Sequence, residues 1–144
     1  RHIPQFAEAG ADSVTVHFET SPDLPGVVSL AREHGLQVGM AFNPDAPVED
    51  AARAARDAQV DVVLCMSVYP GYSGQAFIPE SVERVRELRS LVPESMHVQV
   101  DGCVGPQNIR ELHDAGATLF VAATAIFGRE DLPRAYRRLV QDLA

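Results

Sequence analysis

The sequence predicts an α/β fold in which a parallel β-sheet is covered by helices. Three observations carry that prediction. Short apolar runs of strand character alternate with longer helix-patterned segments from end to end. The repeat is roughly 25–30 residues per strand–helix pair, the length of successive βα units. The run VDVVLCM (60–66) is apolar without strict alternation, as a parallel strand buried on both faces requires. The chain has 144 residues, enough for one domain with a core of its own. Its 46% hydrophobic and 22% charged residues argue against disorder.

Taken in order, a short helical tail opens the chain. Residues 13–18 follow as a strand, with Val14, Val16 and Phe18 on one face and Ser13, Thr15 and His17 on the other. Residues 22–34 form a helix with Val27, Leu30 and Ala31 on one stripe and Gly35 as its stop. Residues 36–42 are a strand, 48–58 an Ala-rich helix and 60–66 the buried strand. Residues 68–78 are a Gly/Pro-rich loop. The helix over 79–91 has Pro79 at its start and Val82, Val85, Leu88 and Leu91 along one face. The strand over 96–101 places Val98 and Val100 opposite His97, Gln99 and Asp101. A helix over 106–115 stops at Gly116, and residues 118–122 are the last strand. The closing helix, 131–143, carries Leu132, Tyr136, Leu139 and Val140 on its apolar face. Five parallel strands fit either an open doubly wound sheet or a piece of an eight-stranded barrel, and periodicity does not separate the two. No GxGxxG follows the first strand and no Walker sequence is present.

Twelve Lys+Arg against 20 Asp+Glu give a net charge of −8, which argues against nucleic acid or an anionic membrane as partner. A small phosphorylated ligand remains compatible, because backbone N–H groups can hold an anion on an acidic protein. No apolar run approaches the roughly 18 residues of a membrane span, and no signal peptide opens the chain. The first residue, Arg1, is not methionine, so the expectation is a chain that begins part-way through a longer protein. Cys65 and Cys103 have no metal spacing and read as half-buried thiols in a reducing cytosol.

Chemistry concentrates in a few segments. Gly71 and Gly74, in PGYSGQAF between a strand and a helix, allow a backbone turn that offers N–H groups to an anion such as phosphate. The alternative is a loop that merely needs glycines. Asp101-Gly102 ends a strand on the side where parallel α/β folds bind ligands. A carboxylate there can ligate a divalent metal or move a proton, or can be a turn or N-cap aspartate. Thr124, after Ala122 and Ala123, offers a hydroxyl to phosphate or simply makes a turn. His17 and Glu19 point the same way at a strand end, as a ligand pair or as a hydrogen-bonded structural pair. His34 and His113 read as surface residues, His97 as a core residue and Met66 as a core methionine at the mouth of the fold.

The segments SVTVHFE (13–19), AFNPDAP (41–47), LCMSVYPGYSGQAFIPES (64–81), VQVDGCV (98–104) and AGATLFVAATAIFG (115–128) resemble, in order and spacing, the ribulose-phosphate 3-epimerases. The resemblance runs along the whole chain, and the MSVxPGxxGQxF pattern carries most of it. It implies a TIM (β/α)8 barrel, present here as a partial barrel of about five strand–helix units, strands four to eight, with strands one to three absent. It implies an isomerase of carbohydrate metabolism in the pentose phosphate pathway, interconverting D-ribulose 5-phosphate and D-xylulose 5-phosphate. Two opposed acid/base groups would move the proton, with one divalent metal ion (Zn, Fe, Mn or Co) beside them. Asp101 matches the metal ligand that is also one acid/base group. Gly71, Tyr72, Ser73 and Gly74 match the phosphate loop, Gly102 and Cys103 a second phosphate segment, and Ala123 and Thr124 a third. Met66 matches an apolar residue near the reacting centre. The partner implied is a small-molecule sugar phosphate, without nucleic acid or membrane, in a cytoplasmic homo-oligomer.

Departures from the pattern bear on function. Cys103 and Ala123 stand where glycine is usual, so a Cβ would press on the phosphate nest, and Tyr72-Ser73 stands where Phe-Gly is common. The other three metal ligands and the second acid/base group belong to strands that this chain lacks. The fragment alone is therefore expected to be inactive. A six-carbon ketose phosphate epimerase, such as one acting on allulose 6-phosphate, and a non-catalytic phosphate-binding relative are the alternatives.

Overall fold

The computed structural model describes residues 2–71 and 75–143. Five strands form one sheet in the order β1-β2-β3-β4-β5, every neighbouring pair parallel. They are β1 (Ser13–His17), β2 (Gln37–Phe42), β3 (Val62–Met66), β4 (His97–Asp101) and β5 (Leu119–Val121). The sequential order, with no switch point, is that of consecutive barrel units and not of an open doubly wound sheet. Helices α1 (Ile3–Glu8), α2 (Leu24–Glu33), α3 (Val48–Ala58), α4 (Ser81–Leu91), α5 (Ile109–Asp114), α6 (Thr124–Phe127) and α7 (Leu132–Leu143) complete the described elements.

Side chains alternate across the strands. Val38, Met40, Phe42, Val63, Cys65, Val98 and Val100 face the helices and are fully buried. They share one core with Val28 and Ala31 of α2, Val85 and Leu88 of α4 and Leu112 of α5. In α3 the buried Val48, Ala51, Ala52, Ala55 and Ala58 repeat at helical spacing. The other face is thinner: Ala41, Leu64 and Met66 make a small separate cluster with Val68 against it. Cross-strand register joins His17, Ala41, Leu64, Gln99 and Leu119 into one row across all five strands. Met66, Asp101 and Val121 form the next row toward the C-terminal ends.

Element boundaries moved where local bonds decided them. Helix α2 begins at Leu24 because the Asp23 carboxylate accepts the Gly26 N–H at 3.0 Å, a side-chain N-cap. Pro79 lies in a turn before α4 rather than in its first turn, and its carbonyl accepts from Val82 N–H at 3.2 Å. Helix α5 starts at Ile109, after a turn in which the Asn108 Oδ1 accepts the Gly105 N–H at 2.9 Å. The 3-10 turn Phe18–Thr20 and the four-residue α6 were not expected. His97 is exposed rather than packed in the core, with Nδ1 3.2 Å from Thr118 Oγ1. On α7 only Leu139 is buried; Leu132, Tyr136 and Val140 are exposed, as is the neighbouring Phe127.

Candidate active site

Because all five strands run the same way, their C-terminal ends gather at one end of the sheet. There the thin face opens into a cavity of about 650 Å³. Thr15 and His17 of β1, Ala41 of β2, Leu64 and Met66 of β3 and Asp101 of β4 form its floor and walls. The loop after β3 contributes Val68 to Gly71 and Gln75, and the later loops contribute Gly102, Cys103, Ala123 and Thr124. Among the sequence-predicted residues, Met66, Gly71, Asp101, Gly102, Cys103, Ala123 and Thr124 thus line one cavity. Tyr72, Ser73 and Gly74 lie outside the described residues.

Asp101 is the last residue of β4 and sits opposite Met66 and Val121 in register. It is not a helix cap, since Asn108 takes that place before α5. Partial burial raises its carboxyl pKa above the ordinary aspartate range, and the Gly102 N–H beside it pulls weakly the other way. That N–H therefore serves the carboxylate. The backbone carrying Asp101 is latched to β3 by Ser67, which the sequence reading missed. Ser67 N–H donates to the Asp101 carbonyl at 2.8 Å. Its hydroxyl lies 2.9 Å from that carbonyl and 2.7 Å from the Gly102 carbonyl. A serine one residue past a strand end carries no periodic signal, and its full burial is visible only in three dimensions.

Gly102 is a position where glycine is required. Its φ is +125°, and a Cβ there would lie 2.8 Å from the Val68 backbone nitrogen and 2.9 Å from Ser67 Oγ. Cys103 also has a left-handed backbone, φ +54°. Its thiol donates to the Gln75 carbonyl at 2.8 Å. Cys103 thus ties the loop after β4 to the loop after β3. Ala123 has φ −80° and needs no glycine. Thr124 opens α6 at the cavity rim. Gly71 has φ +133°, and no atom of the described residues lies within 4 Å of its Cβ position. The base of its loop is held by Ile78 N–H donating to the Ser67 carbonyl at 3.0 Å and Gln75 Nε2 donating to the Tyr69 carbonyl at 2.5 Å.

His17 enters the cavity from β1, and its Nδ1 lies 3.4 Å from a Glu19 carboxylate oxygen. His34 and His113 are exposed, as expected. Cys65 faces the helices, and burial pushes its thiol up to about 11 against the opposing pull of the Arg84 guanidinium. Both cysteines are free. Asp101 is the sole carboxylate lining the cavity among the described residues. Among those residues no group of three or more His, Cys, Asp or Glu side chains could hold a metal ion. The described residues thus do not supply a complete donor set for a divalent metal. No helix among the described residues is long and apolar enough to cross a membrane.

Known proteins resemble this chain in sequence and in fold. The profile described as "Ribulose-phosphate 3 epimerase family" matches residues 1–127. The ribulose-phosphate 3-epimerase of Serratia marcescens is 40% identical over 134 residues, 91% of this chain and 63% of that protein. The protein of the same name from Escherichia coli (strain K12) is 38% identical over 147 residues, 100% of this chain and 64% of that protein. This chain thus spans a little under two thirds of the length of these curated relatives. Among solved structures, a 3-hexulose-6-phosphate synthase superposes with a TM-score of 0.76 at 23% identity, over 99% of this chain and 67% of that one. KGPDC from Streptococcus mutans gives a TM-score of 0.74 at 14% identity, over 98% of this chain and 64% of that one. These structural likenesses support the fold alone, that of a partial TIM barrel.

Proposed function

Because the chain belongs to the ribulose-phosphate 3-epimerase family, we propose that it is the C-terminal part, strands four to eight, of a (β/α)8 barrel whose complete form interconverts D-ribulose 5-phosphate and D-xylulose 5-phosphate. The observation that carries the reading is Asp101 at the end of β4, half-buried in one cavity with Met66, Gly102, Cys103, Ala123 and Thr124. The names of relatives 36–40% identical favour the pentose phosphate over the six-carbon alternative and over a non-catalytic role. Three further strand–helix units would close the barrel. They would pair with the open edges β1 and β5 and cover Phe127, Tyr136 and Val140, which are 75%, 59% and 46% exposed.

In the proposed reaction the C3–H bond of the ketose phosphate breaks and its proton passes to a carboxylate. The electron pair enters an enediolate across C2 and C3, and a proton returns to C3 from the opposite face. Asp101 serves one face. A carboxyl raised by burial holds and releases a proton closer to neutral pH than an ordinary aspartate does. The Ser67 latch keeps it fixed while charge moves. The group for the opposite face belongs to the strands that would complete the barrel. Among the described residues the donor set does not by itself make a metal site. Phosphate is held on the β4 and β5 side, where Cys103, Ala123 and Thr124 converge across the cavity from β1.

The test is a coupled epimerase assay on this chain alone and on the chain joined to the three N-terminal strand–helix units of a curated relative. The chain alone should be inactive and the joined protein active. Asp101→Asn in the joined protein should lower turnover by about 10²–10⁴-fold, the scale of general acid–base catalysis, while leaving much of the phosphate affinity. Wild-type turnover in that variant would remove Asp101 from the reaction.

A further inference from the structure

We propose that His17, held by Glu19, is a substrate-positioning residue that takes a hydroxyl of the sugar on the wall opposite the phosphate segments. The inference rests on the reading that this cavity takes a sugar phosphate. His17 is the last residue of β1, and Cys103 and Thr124 follow β4 and β5 at the other end of the strand order. A ligand anchored by phosphate at the β4–β5 side would present its distal hydroxyls toward β1.

The pair is built to present one ring nitrogen. Glu19 Oε1 accepts the Asn43 backbone N–H at 2.7 Å, which fixes the carboxylate on the neighbouring strand's loop. Its other oxygen, Oε2, lies 3.4 Å from His17 Nδ1. A carboxylate is acceptor only, so the Nδ1 proton is the one this contact favours, and Nε2 is left to the cavity. Nε2 has no hydrogen-bond partner among the described residues, and the side chain lines the cavity. Ala41, paired with His17 in register, offers only a methyl group beside it. This small neighbour leaves room beside the imidazole for a ligand. A neutral imidazole with Nδ1 protonated accepts from a hydroxyl at Nε2. A site that bonds a hydroxyl this way discriminates against analogues lacking it.

Two amide substitutions separate this role from a packing role. Glutamine places its amide near the position of Nε2, and asparagine places it near Nδ1. Binding is measured on the full-length protein by calorimetry, with D-ribulose 5-phosphate and inorganic phosphate as separate titrants. His17→Ala should weaken D-ribulose 5-phosphate about tenfold, the scale of one lost hydrogen bond, and leave inorganic phosphate within about twofold. His17→Gln should recover most of the loss and His17→Asn should not. Glu19→Gln should lower the Nδ1-protonated fraction of His17 read from imidazole ¹⁵N shifts, with a smaller loss of sugar phosphate affinity. Equal weakening of both titrants by His17→Ala, or equal behaviour of the glutamine and asparagine variants, would overturn the positioning role. So would unchanged D-ribulose 5-phosphate binding in His17→Ala, which leaves the cavity reading intact. Failure of the wild-type protein to bind D-ribulose 5-phosphate overturns that reading and this inference together.

Discussion

The two faces of this sheet are made from the same strands and do different things. On the helix side every second residue from Val38 to Val100 is a fully buried aliphatic, aromatic or thiol group. On the other side Thr15, His17, Gln99 and Asp101 alternate with only three buried apolar residues, Ala41, Leu64 and Met66. The pleat separates the two sets by one residue, so stability and chemistry are written into alternate letters of the same segments. Substitutions on the helix side should therefore cost stability first, and those on the cavity side should cost binding and turnover first.

The largest stability effect belongs to the helix side. Phe42 is fully buried, and the Arg84 guanidinium lies over its ring at 5.3 Å. Arg84 also donates to the Asn43 carbonyl at 3.1 Å and the Ala46 carbonyl at 2.8 Å, so the loop after β2 shares this support. Phe42→Ala should destabilise by about 3–5 kcal/mol in urea unfolding. A loss under about 1 kcal/mol would show that the site collapses around the deletion and that the contrast between faces is overstated.

Gly102 tests the hinge between the faces. Gly102→Ala meets both a left-handed backbone and atoms of Val68 and Ser67 inside van der Waals distance, whereas Gly71→Ala, among the described residues, meets only the backbone cost. The first should lose about 2–3 kcal/mol and the second about 1 kcal/mol. Equal losses, measured by thermal unfolding, would mean that the β3–β4 junction yields easily.

Much of this was legible in the sequence because the alternation of the strands over 13–18 and 96–101 is clean. Val14 and Val16 against Thr15 and His17, or Val98 and Val100 against Gln99 and Asp101, assign faces without coordinates. The convergence of Asp101, Cys103 and Thr124 followed from parallel strand order. The Ser67 latch did not, because its bonds go to backbone carbonyls 34 and 35 residues away. His97 was misplaced because alternation gives the face but not the depth: it sits at the N-terminal end of β4, away from the cavity. The 3-10 turn Phe18–Thr20 and the four-residue α6 are too short to show a helical period. The metal donor set was not legible because no group of three or more candidate ligands comes together among the described residues.

Cys65 sharpens the comparison from the buried side. Its thiol ionises near 9.0 when unfolded and about 11 when folded, so between those values the native state keeps a proton that the unfolded state releases. Its contribution is therefore complete below about pH 9 and is lost as pH rises through 11, at roughly 1.4 kcal/mol per pH unit within the window. All twelve cationic residues are arginine, so no lysine titrates across the same range. Urea unfolding from pH 8 to 10.5 should show this slope in the wild type and a shallower one in Cys65→Ala, whose cavity cost does not vary with pH. Parallel curves would place the ionisation elsewhere.

The smallest stability effect should come from the residue with the largest functional one. Burial disfavours the Asp101 carboxylate, so its folded pKa lies above the unfolded value of 3.8. The native state then binds the proton more tightly, and stability falls as pH rises from 3.8 through the folded value. At neutral pH the charge is a slight liability, which Asp101→Asn removes while keeping the side chain's shape. The Ser67 latch is untouched because it uses the Asp101 backbone carbonyl. The variant should match the wild type or exceed it by about 0.5 kcal/mol at pH 7. The gain should vanish below pH 3.8, where both states of the wild type are protonated. Unfolding curves at pH 7 and pH 3.5 check both points. A loss of more than about 1 kcal/mol at pH 7 would mean that the carboxylate holds the rim together, and the division between the two faces would fail at the residue that best represents it.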